Sequence, residues 1–131
     1  MGVIGIFGPK RQIKKLSYLN GEAEREFNNI LLQSFLECVE FGDLILRFLE
    51  ISSPIKRWEL AEKPEMFANG LKDLLGDSAK VKMEEIIQKL YEKIGVNFVK
   101  LKGYEFQDYI KDAKIKFIAL YKKNRQIKES D

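Results

Sequence analysis

The stretch from Pro64 to Ile94 constrains the fold of this chain more than any other segment. Its apolar residues follow steps of three and four up to Gly76 and again from Ala79 onward, which is the spacing of one face of an α-helix. Pro64 suits the first turn of a helix, and Gly76 can adopt the left-handed conformation that ends one. The sequence therefore predicts two helices joined by a short turn, a helical hairpin.

Small and polar residues of the hairpin predict how it is closed and how it packs. Asp77 or Ser78 can accept hydrogen bonds from the free amides of the second helix. Gly70 lies within the apolar stripe, where glycine costs about 1 kcal/mol of helix propensity relative to alanine. We expect a neighbouring helix to approach closely there; a ligand on its bare backbone is the alternative. Lys82 and Glu85 stand where a DNA-reading helix-turn-helix has apolar residues, so we do not expect the hairpin to read DNA.

Periodicity predicts three further helices outside the hairpin. One follows the turn Asn20-Gly21 and runs to Gly42, with a stripe of apolar residues along it. The next, 44–51, is apolar nearly all round, which is typical of a helix at the centre of a core. The last begins at Tyr104, reaches about residue 127 and carries lysines on one face.

These elements predict a mainly α-helical fold, a compact bundle of about five helices. At 131 residues the chain is most simply a single domain, residues 1–131, with 1–10 and 128–131 as candidate flexible ends. The β-branched and aromatic residues at 3–7 and 96–101 also predict a minor pair of short strands.

The residue inventory argues against common catalytic chemistry. The chain has no histidine and one cysteine, which removes the usual zinc sites, histidine bases and nucleophilic triads. Cys38 lies in an apolar pattern, so we expect a buried, inert thiol in a reducing, cytoplasmic setting. No stretch approaches the roughly 20 apolar residues of a membrane span. We therefore predict a protein that is not an enzyme, holds no cofactor or metal and does not enter a membrane.

The connector 55–63 carries the only tryptophan, Trp58, with Lys56 and Arg57 beside it. A lone aromatic residue in a connector usually anchors it to the core, and this is the expectation for Trp58. Stacking on a ligand or partner is the alternative.

Large apolar side chains spread over four predicted helices suggest a pocket between helices. Such a pocket would be the ligand site of a small-molecule sensor. Its predicted lining residues are Phe27, Phe35, Phe67, Met83 and Tyr91.

Positive charge collects at both ends of the chain around an acidic middle. The basic residues there could converge on the phosphates of a nucleic acid. The candidates for such polyanion contacts are Lys10, Arg11, Lys14, Lys15, Lys122, Lys123 and Arg125. A solvated lysine face is the favoured interpretation, because a net charge of +3 is small for a polyanion binder. Basic ends and an acidic middle could equally support self-association.

The hairpin also carries a resemblance to a known family. The run 63–67, then Leu71, residues 74–76 and residues 86–95, together with 41–50, resembles a small archaeal family named after Nitrosopumilus output domains, the fifth so named. The resemblance covers roughly residues 27 to 95. It implies a helical domain, found alone or fused to sensory modules, with no established activity and no site residue. The lysine- and glutamate-rich composition is compatible with a thermophile.

Three functional hypotheses follow. The favoured one is a non-enzymatic interaction or regulatory module, resembling a signal-output domain, that acts as a homodimer or binds a protein partner through exposed apolar positions on the terminal helix. The alternative is a small-molecule-binding helical sensor. The third is a weak nucleic-acid binder that uses the basic ends.

Overall fold

The computed structural model describes the backbone of residues 2–130 and the side chains of residues 18–125. The described residues form five α-helices and two single 3-10 turns, and no strand is found among them. The helices are α1 (Gly2–Cys38), α2 (Gly42–Ser52), α3 (Pro64–Leu75), α4 (Ala79–Ile94) and α5 (Phe106–Ser130). The mainly α-helical fold predicted from the sequence is confirmed. None of the helices in this part of the chain is both long and apolar enough to span a membrane.

The predicted hairpin is present as α3 and α4, joined by the 3-10 turn Gly76–Ser78. Gly76 has φ 58° and ψ −128°, so it adopts a positive φ but not the left-handed helical geometry that we expected. The prediction of a side-chain cap was wrong: the Ser78 hydroxyl donates to the Leu75 carbonyl oxygen at 2.8 Å and caps nothing in α4. The 3-10 turn leads directly into α4, so the amide of Ala79 already bonds to the Gly76 carbonyl.

Gly70 is a point of close helix approach, as predicted. It is buried in α3, and a Cβ atom built on it would overlap Cδ2 of Leu49 in α2 and lie 3.5 Å from the Ser53 hydroxyl oxygen. The loss of helix propensity at this glycine is thus offset by the packing of α2 against α3.

The predicted turn at Asn20-Gly21 was wrong, because α1 passes through it without interruption. Leu19, Ala23 and the buried residues that follow at four-residue steps form one continuous stripe. Burial of that stripe outweighs the roughly 1 kcal/mol by which glycine disfavours a helix.

The predicted strand pair was also wrong. Residues 3–7 lie within α1, and residues 96–101 form a connector without regular secondary structure. The backbone N–H of Leu101 donates to the Tyr109 hydroxyl at 2.9 Å, and its carbonyl accepts from the same hydroxyl at 3.2 Å. A side chain therefore satisfies the backbone groups that a strand would have used. The candidate flexible ends, 1–10 and 128–131, stay a prediction.

The core lies where α1, α4 and α5 pack against one another, with α3 covering one end of α4 and α5. Edge-to-face aromatic contacts link the helices: the ring of Phe67 lies 5.6 Å from those of both Phe35 and Phe106. α2 packs on α1 and α3 at the margin of this core. The expectation of a central second helix was wrong, because only Gly42, Leu46 and Leu49 of α2 are buried.

Candidate functional site

All five residues predicted to line a pocket between helices are buried core residues. Phe27, Phe35 and Phe67 are fully buried in the core, and Tyr91 is nearly so. Their rings pack on other aromatic rings: Phe27 on Phe117, Phe35 on Phe67 and Tyr91 on Phe98. Met83 alone lines a cleft, and that cleft lies outside the predicted pocket.

The predicted polyanion residues are only partly within the described side chains. Lys10, Arg11, Lys14 and Lys15 lie outside the residues whose side chains the structure describes. Lys122 and Lys123 lie near the end of α5, partly and largely exposed. Arg125 contacts a Glu22 carboxylate oxygen at 3.2 Å and lies over the Tyr121 ring, 5.2 Å from its centroid.

Lysines in the first half of α5 pair with carboxylates on neighbouring helices. Lys111 binds Glu65 of α3, and Lys114 lies 3.7 Å from Glu24 of α1. These lysines are therefore committed to ion pairs between helices, which leaves less positive charge on α5 for an external polyanion.

The connector between α2 and α3 is held by Asn28, a residue that the sequence analysis did not single out. The Asn28 amide nitrogen donates to the Arg57 carbonyl, and its side-chain oxygen accepts from the Ala61 N–H, both at 2.9 Å. Trp58 is 68% exposed, so the prediction that it anchors the connector was wrong. An asparagine beside the apolar stripe of the helix, three positions before Leu31, was the available signal, because a buried amide must find partners.

A stripe of exposed apolar residues runs along α2. Phe41, Leu44, Phe48 and Ile51 follow steps of three, four and three residues, and all four are exposed. Ile51 is 81% exposed. We call these four residues the α2 apolar face. Contiguous exposed apolar surface of this kind marks interaction sites on folded proteins.

Phe41 begins this face in a strained backbone conformation. Its φ is 59° and its ψ 29°, and it is the one residue other than glycine with a positive φ among those described. The neighbouring Gly42 is needed for a different reason: a Cβ there would lie 3.1 Å from the side chains of Phe35 and Leu36. The backbone turns at position 41, where glycine or asparagine would be less strained, and the chain places an exposed aromatic ring there.

Charges beside the α2 apolar face balance one another. The Arg57 guanidinium lies 3.1 Å from Asp43 and 3.8 Å from Glu50, and Arg47 lies 3.5 Å from Asp43. The two arginines and two carboxylates sum to no net charge. A second copy of this surface would therefore meet no excess of like charge.

A cleft of about 830 Å³ lies on another part of the molecule, between the hairpin turn, the 96–105 connector and the start of α5. Its apolar wall includes Met83, Ile87, Phe98 and Phe106. Tyr109 lines it too and fixes the connector through its hydroxyl.

Behind this wall, a buried tyrosine joins α4 to α5. The Tyr91 hydroxyl donates to an Asp112 carboxylate oxygen at 2.6 Å. Burial, and then the bond to Asp112, raise the pKa of Tyr91 well above its usual range. Partial burial opposes ionisation of Asp112, but hydrogen bonds from Tyr91 and Lys116 lower the pKa of that carboxyl. The pair is thus a neutral tyrosine donating to a carboxylate, a structural link between the two helices.

Cys38 lies near the end of α1 and is only partly buried. Burial, with a contribution from the nearby Glu85, raises the pKa of its thiol. Since Cys38 is only partly buried, the expectation that its thiol is buried was wrong. A thiol with a raised pKa is a poor nucleophile at neutral pH, and the inert role of Cys38 stays a prediction.

Within residues 18–125, these features describe a mainly α-helical protein with an exposed apolar helix face and an open cleft. Comparison of the chain with protein-family models, with curated proteins and with solved structures gave no match. The resemblance to Nitrosopumilus output domains therefore stays a prediction.

Proposed function

We propose that this protein is a non-enzymatic interaction module that forms a homodimer through the α2 apolar face. The observation that carries the proposal is Phe41, an exposed aromatic residue held in a backbone conformation that disfavours it. Backbone strain at an exposed apolar residue lowers the stability of the monomer and brings it no packing contact in return. Such strain is concentrated at functional sites. Burial of the Phe41 ring against a second copy of the chain would offset the cost of that strain.

A second copy fits the face because its spacing is symmetric. Steps of three, four and three residues read the same in both directions along α2. Two copies that meet in antiparallel orientation about a two-fold axis place Phe41 of one opposite Ile51 of the other, and Leu44 opposite Phe48. The balanced charges of Arg47, Arg57, Asp43 and Glu50 beside the face allow that approach without net repulsion.

The proposed interface differs from the one expected on the terminal helix. Among the described residues of α5, the large exposed aliphatic side chains are Ile115 and Leu120, which are five positions apart and so are not neighbours on one helix face. The α2 apolar face offers four adjacent side chains, two of them aromatic. A regulatory, signal-output role for the dimer in an archaeal cytoplasm is supported by the family resemblance alone, and a thermophilic source by the lysine- and glutamate-rich composition alone.

Two matched substitutions test the interface. Ile51→Glu places a charge in the α2 apolar face, and Ile115→Glu places the same charge on α5 at a residue that is 71% exposed. Both sites are on the surface, so we expect both variants to fold. Sedimentation equilibrium over a wide concentration range should show a dimer for the wild type and for Ile115→Glu, and a monomer for Ile51→Glu.

Two results would overturn the proposal. One is a wild-type protein that stays monomeric at the highest concentration. The other is the reverse pattern, with Ile115→Glu monomeric and Ile51→Glu dimeric, which would assign the interface to α5.

A further inference from the structure

The cleft between the hairpin turn and the start of α5 combines an apolar interior with a lysine-rich rim. Its volume, about 830 Å³, is in the range of sites that enclose small organic ligands. Met83, Ile87 and Phe106 on its wall are buried in the core behind it, so the wall is rigid. A preformed apolar cleft of this kind favours a ligand with an apolar body.

The charged residues at the rim indicate whether the ligand carries a positive or a negative charge. Lys72, Lys80 and Lys102 line the cleft and form no ion pair with any residue whose side chain the structure describes. A fourth lysine, Lys100, reaches the Glu84 carboxylate only at 4.0 Å.

Three carboxylates also lie on the rim, but two of them have partners. Glu84 faces Lys100, and a Glu105 carboxylate oxygen accepts from the Gln107 amide at 2.7 Å. Asp77 is the third. The Gln107 amide is neutral, so Glu105 keeps its charge. Four lysines and three carboxylates give the lining of the cleft a net charge of +1, and a negatively charged group at the mouth would be stabilised.

The connector that forms one side of the cleft is held in place. Both the N–H and the carbonyl of Leu101 bond to the Tyr109 hydroxyl, at 2.9 Å and 3.2 Å. The rings of Phe98 and Tyr104 each lie 5.3 Å from the Tyr109 ring. The aromatic side of the cleft is therefore formed before any ligand arrives, which lowers the entropic cost of binding.

We propose that this cleft binds a small amphipathic anion, a molecule with an apolar body and one carboxylate or phosphate group. The apolar body lies against Met83, Phe98 and Phe106, and the anionic group lies at the mouth among Lys72, Lys80 and Lys102. The site is separate from the α2 apolar face, so it adds ligand binding to the proposed dimer.

Three probes test the chemistry of the ligand. Dodecanoate represents an alkyl acid, 2-naphthoate an aromatic acid, and dodecyltrimethylammonium has an alkyl chain with the opposite charge. Isothermal titration calorimetry, below the concentration at which micelles form, should show binding of one or both acids at a single site. The acid that binds more tightly identifies the apolar body as alkyl or aromatic. Chemical shifts of the Gly76 and Gly103 amides, which line the cleft, should move, whereas that of Gly42 in α2 should not.

Two triple variants with the same change in net charge test the rim. Replacing Lys72, Lys80 and Lys102 by glutamine should lower the affinity for the acid about tenfold, since each exposed ion pair contributes about a factor of two. The matched control replaces three lysines that do not line the cleft, Lys56, Lys122 and Lys123, and should leave the affinity unchanged.

Four results would overturn this proposal: no binding of either acid, equal binding of the cationic amphiphile, an equal loss of affinity in the control variant, or shifts confined to α2. None of them bears on the dimer, whose test uses Ile51 and Ile115. Failure of one proposal is therefore distinguishable from failure of the other.

Discussion

Replacing Phe41 by asparagine should stabilise the monomer and strongly weaken the dimer. Asparagine adopts the left-handed conformation, which Phe41 has at φ 59°, at a lower energetic cost than an aromatic residue does. The two effects have opposite signs because the backbone strain at residue 41 already destabilises the monomer, whereas the Phe41 ring is buried only in the dimer.

The magnitude for the monomer follows from strain and burial. Left-handed geometry costs an ordinary residue about 1–2 kcal/mol, of which we expect asparagine to recover about 1 kcal/mol. Phe41 is 79% exposed, so its removal forfeits about a fifth of the roughly 2.5 kcal/mol that a fully buried phenylalanine contributes, about 0.5 kcal/mol. The net gain is about 0.5 kcal/mol in the free energy of unfolding, with a rise of about 2 °C in the melting temperature.

The magnitude for the dimer is larger and opposite. Burying the remaining four fifths of the ring in each copy contributes about 2 kcal/mol, and two-fold symmetry counts it twice. A loss of about 4 kcal/mol corresponds to about a thousandfold weaker dimer.

Urea unfolding followed by circular dichroism at low protein concentration measures the monomer, and sedimentation velocity at high concentration measures the dimer. Phe48→Asn serves as the control: position 48 is also exposed but lies inside α2 with ordinary helical geometry. It should weaken the dimer without stabilising the monomer. The reasoning is refuted if Phe41→Asn destabilises the monomer by more than about 1 kcal/mol, which would mean that the ring packs in the monomer, or if the dimer is unaffected.

Three further predictions concern the fold itself. Gly70→Ala should destabilise the protein by about 1–2 kcal/mol in urea unfolding, because the new methyl group would overlap Leu49 by more than the gain in helix propensity offsets. Gly21→Ala, in an open part of α1, should instead be neutral or stabilising, and equal effects would contradict the packing argument. Asn28→Ala should cost about 2–3 kcal/mol in the same assay, because it leaves buried backbone groups of the connector without partners; a loss under about 0.5 kcal/mol would refute that role. Hydrogen bonds lower the pKa of Asp112 below its usual 3.8, so the unfolded chain binds its proton more readily, and stability should be lost as the pH falls below about 4. Asp112→Asn should remove that part of the pH dependence of the unfolding free energy, and an unchanged profile would contradict the assignment.

Helical periodicity was sufficient to predict the α3–α4 hairpin because each of its helices buries one regular face. Pro64, Gly76 and Gly95 marked its boundaries, and Gly95 does end α4 in the left-handed conformation. Gly70 predicted a close contact between helices, but the sequence did not identify Leu49 as the contacting residue. These features depend on local backbone preferences, which can be predicted from neighbouring residues in the sequence.

Local signals misled where long-range packing was stronger or absent. Asn20-Gly21 has the composition of a turn, yet the buried stripe of α1 keeps it helical. Trp58 is a large aromatic residue of the kind that usually packs into a core. The connector is instead held by two hydrogen bonds from Asn28, and the Trp58 ring is exposed.

The candidate sites were the least predictable part. The aromatic residues proposed for a pocket are core residues, and the cleft is formed by a connector whose backbone is held by Tyr109. Which apolar side chains lie in the core and which face outward depends on how the helices are arranged, and a sequence pattern does not contain that arrangement.

By itself, the sequence determined the helical class, the hairpin with its glycine boundaries and the lack of histidine chemistry. Only the tertiary structure decided that α2 lies at the margin of the core. The sequence of α2 is apolar nearly all round. Its contacts with α1 and α3 bury Leu46 and Leu49 and leave Phe41, Phe48 and Ile51 exposed. Hydrophobicity measures the tendency of a residue to be buried, whereas the number of neighbouring helices decides whether that burial occurs within one chain or against a second one.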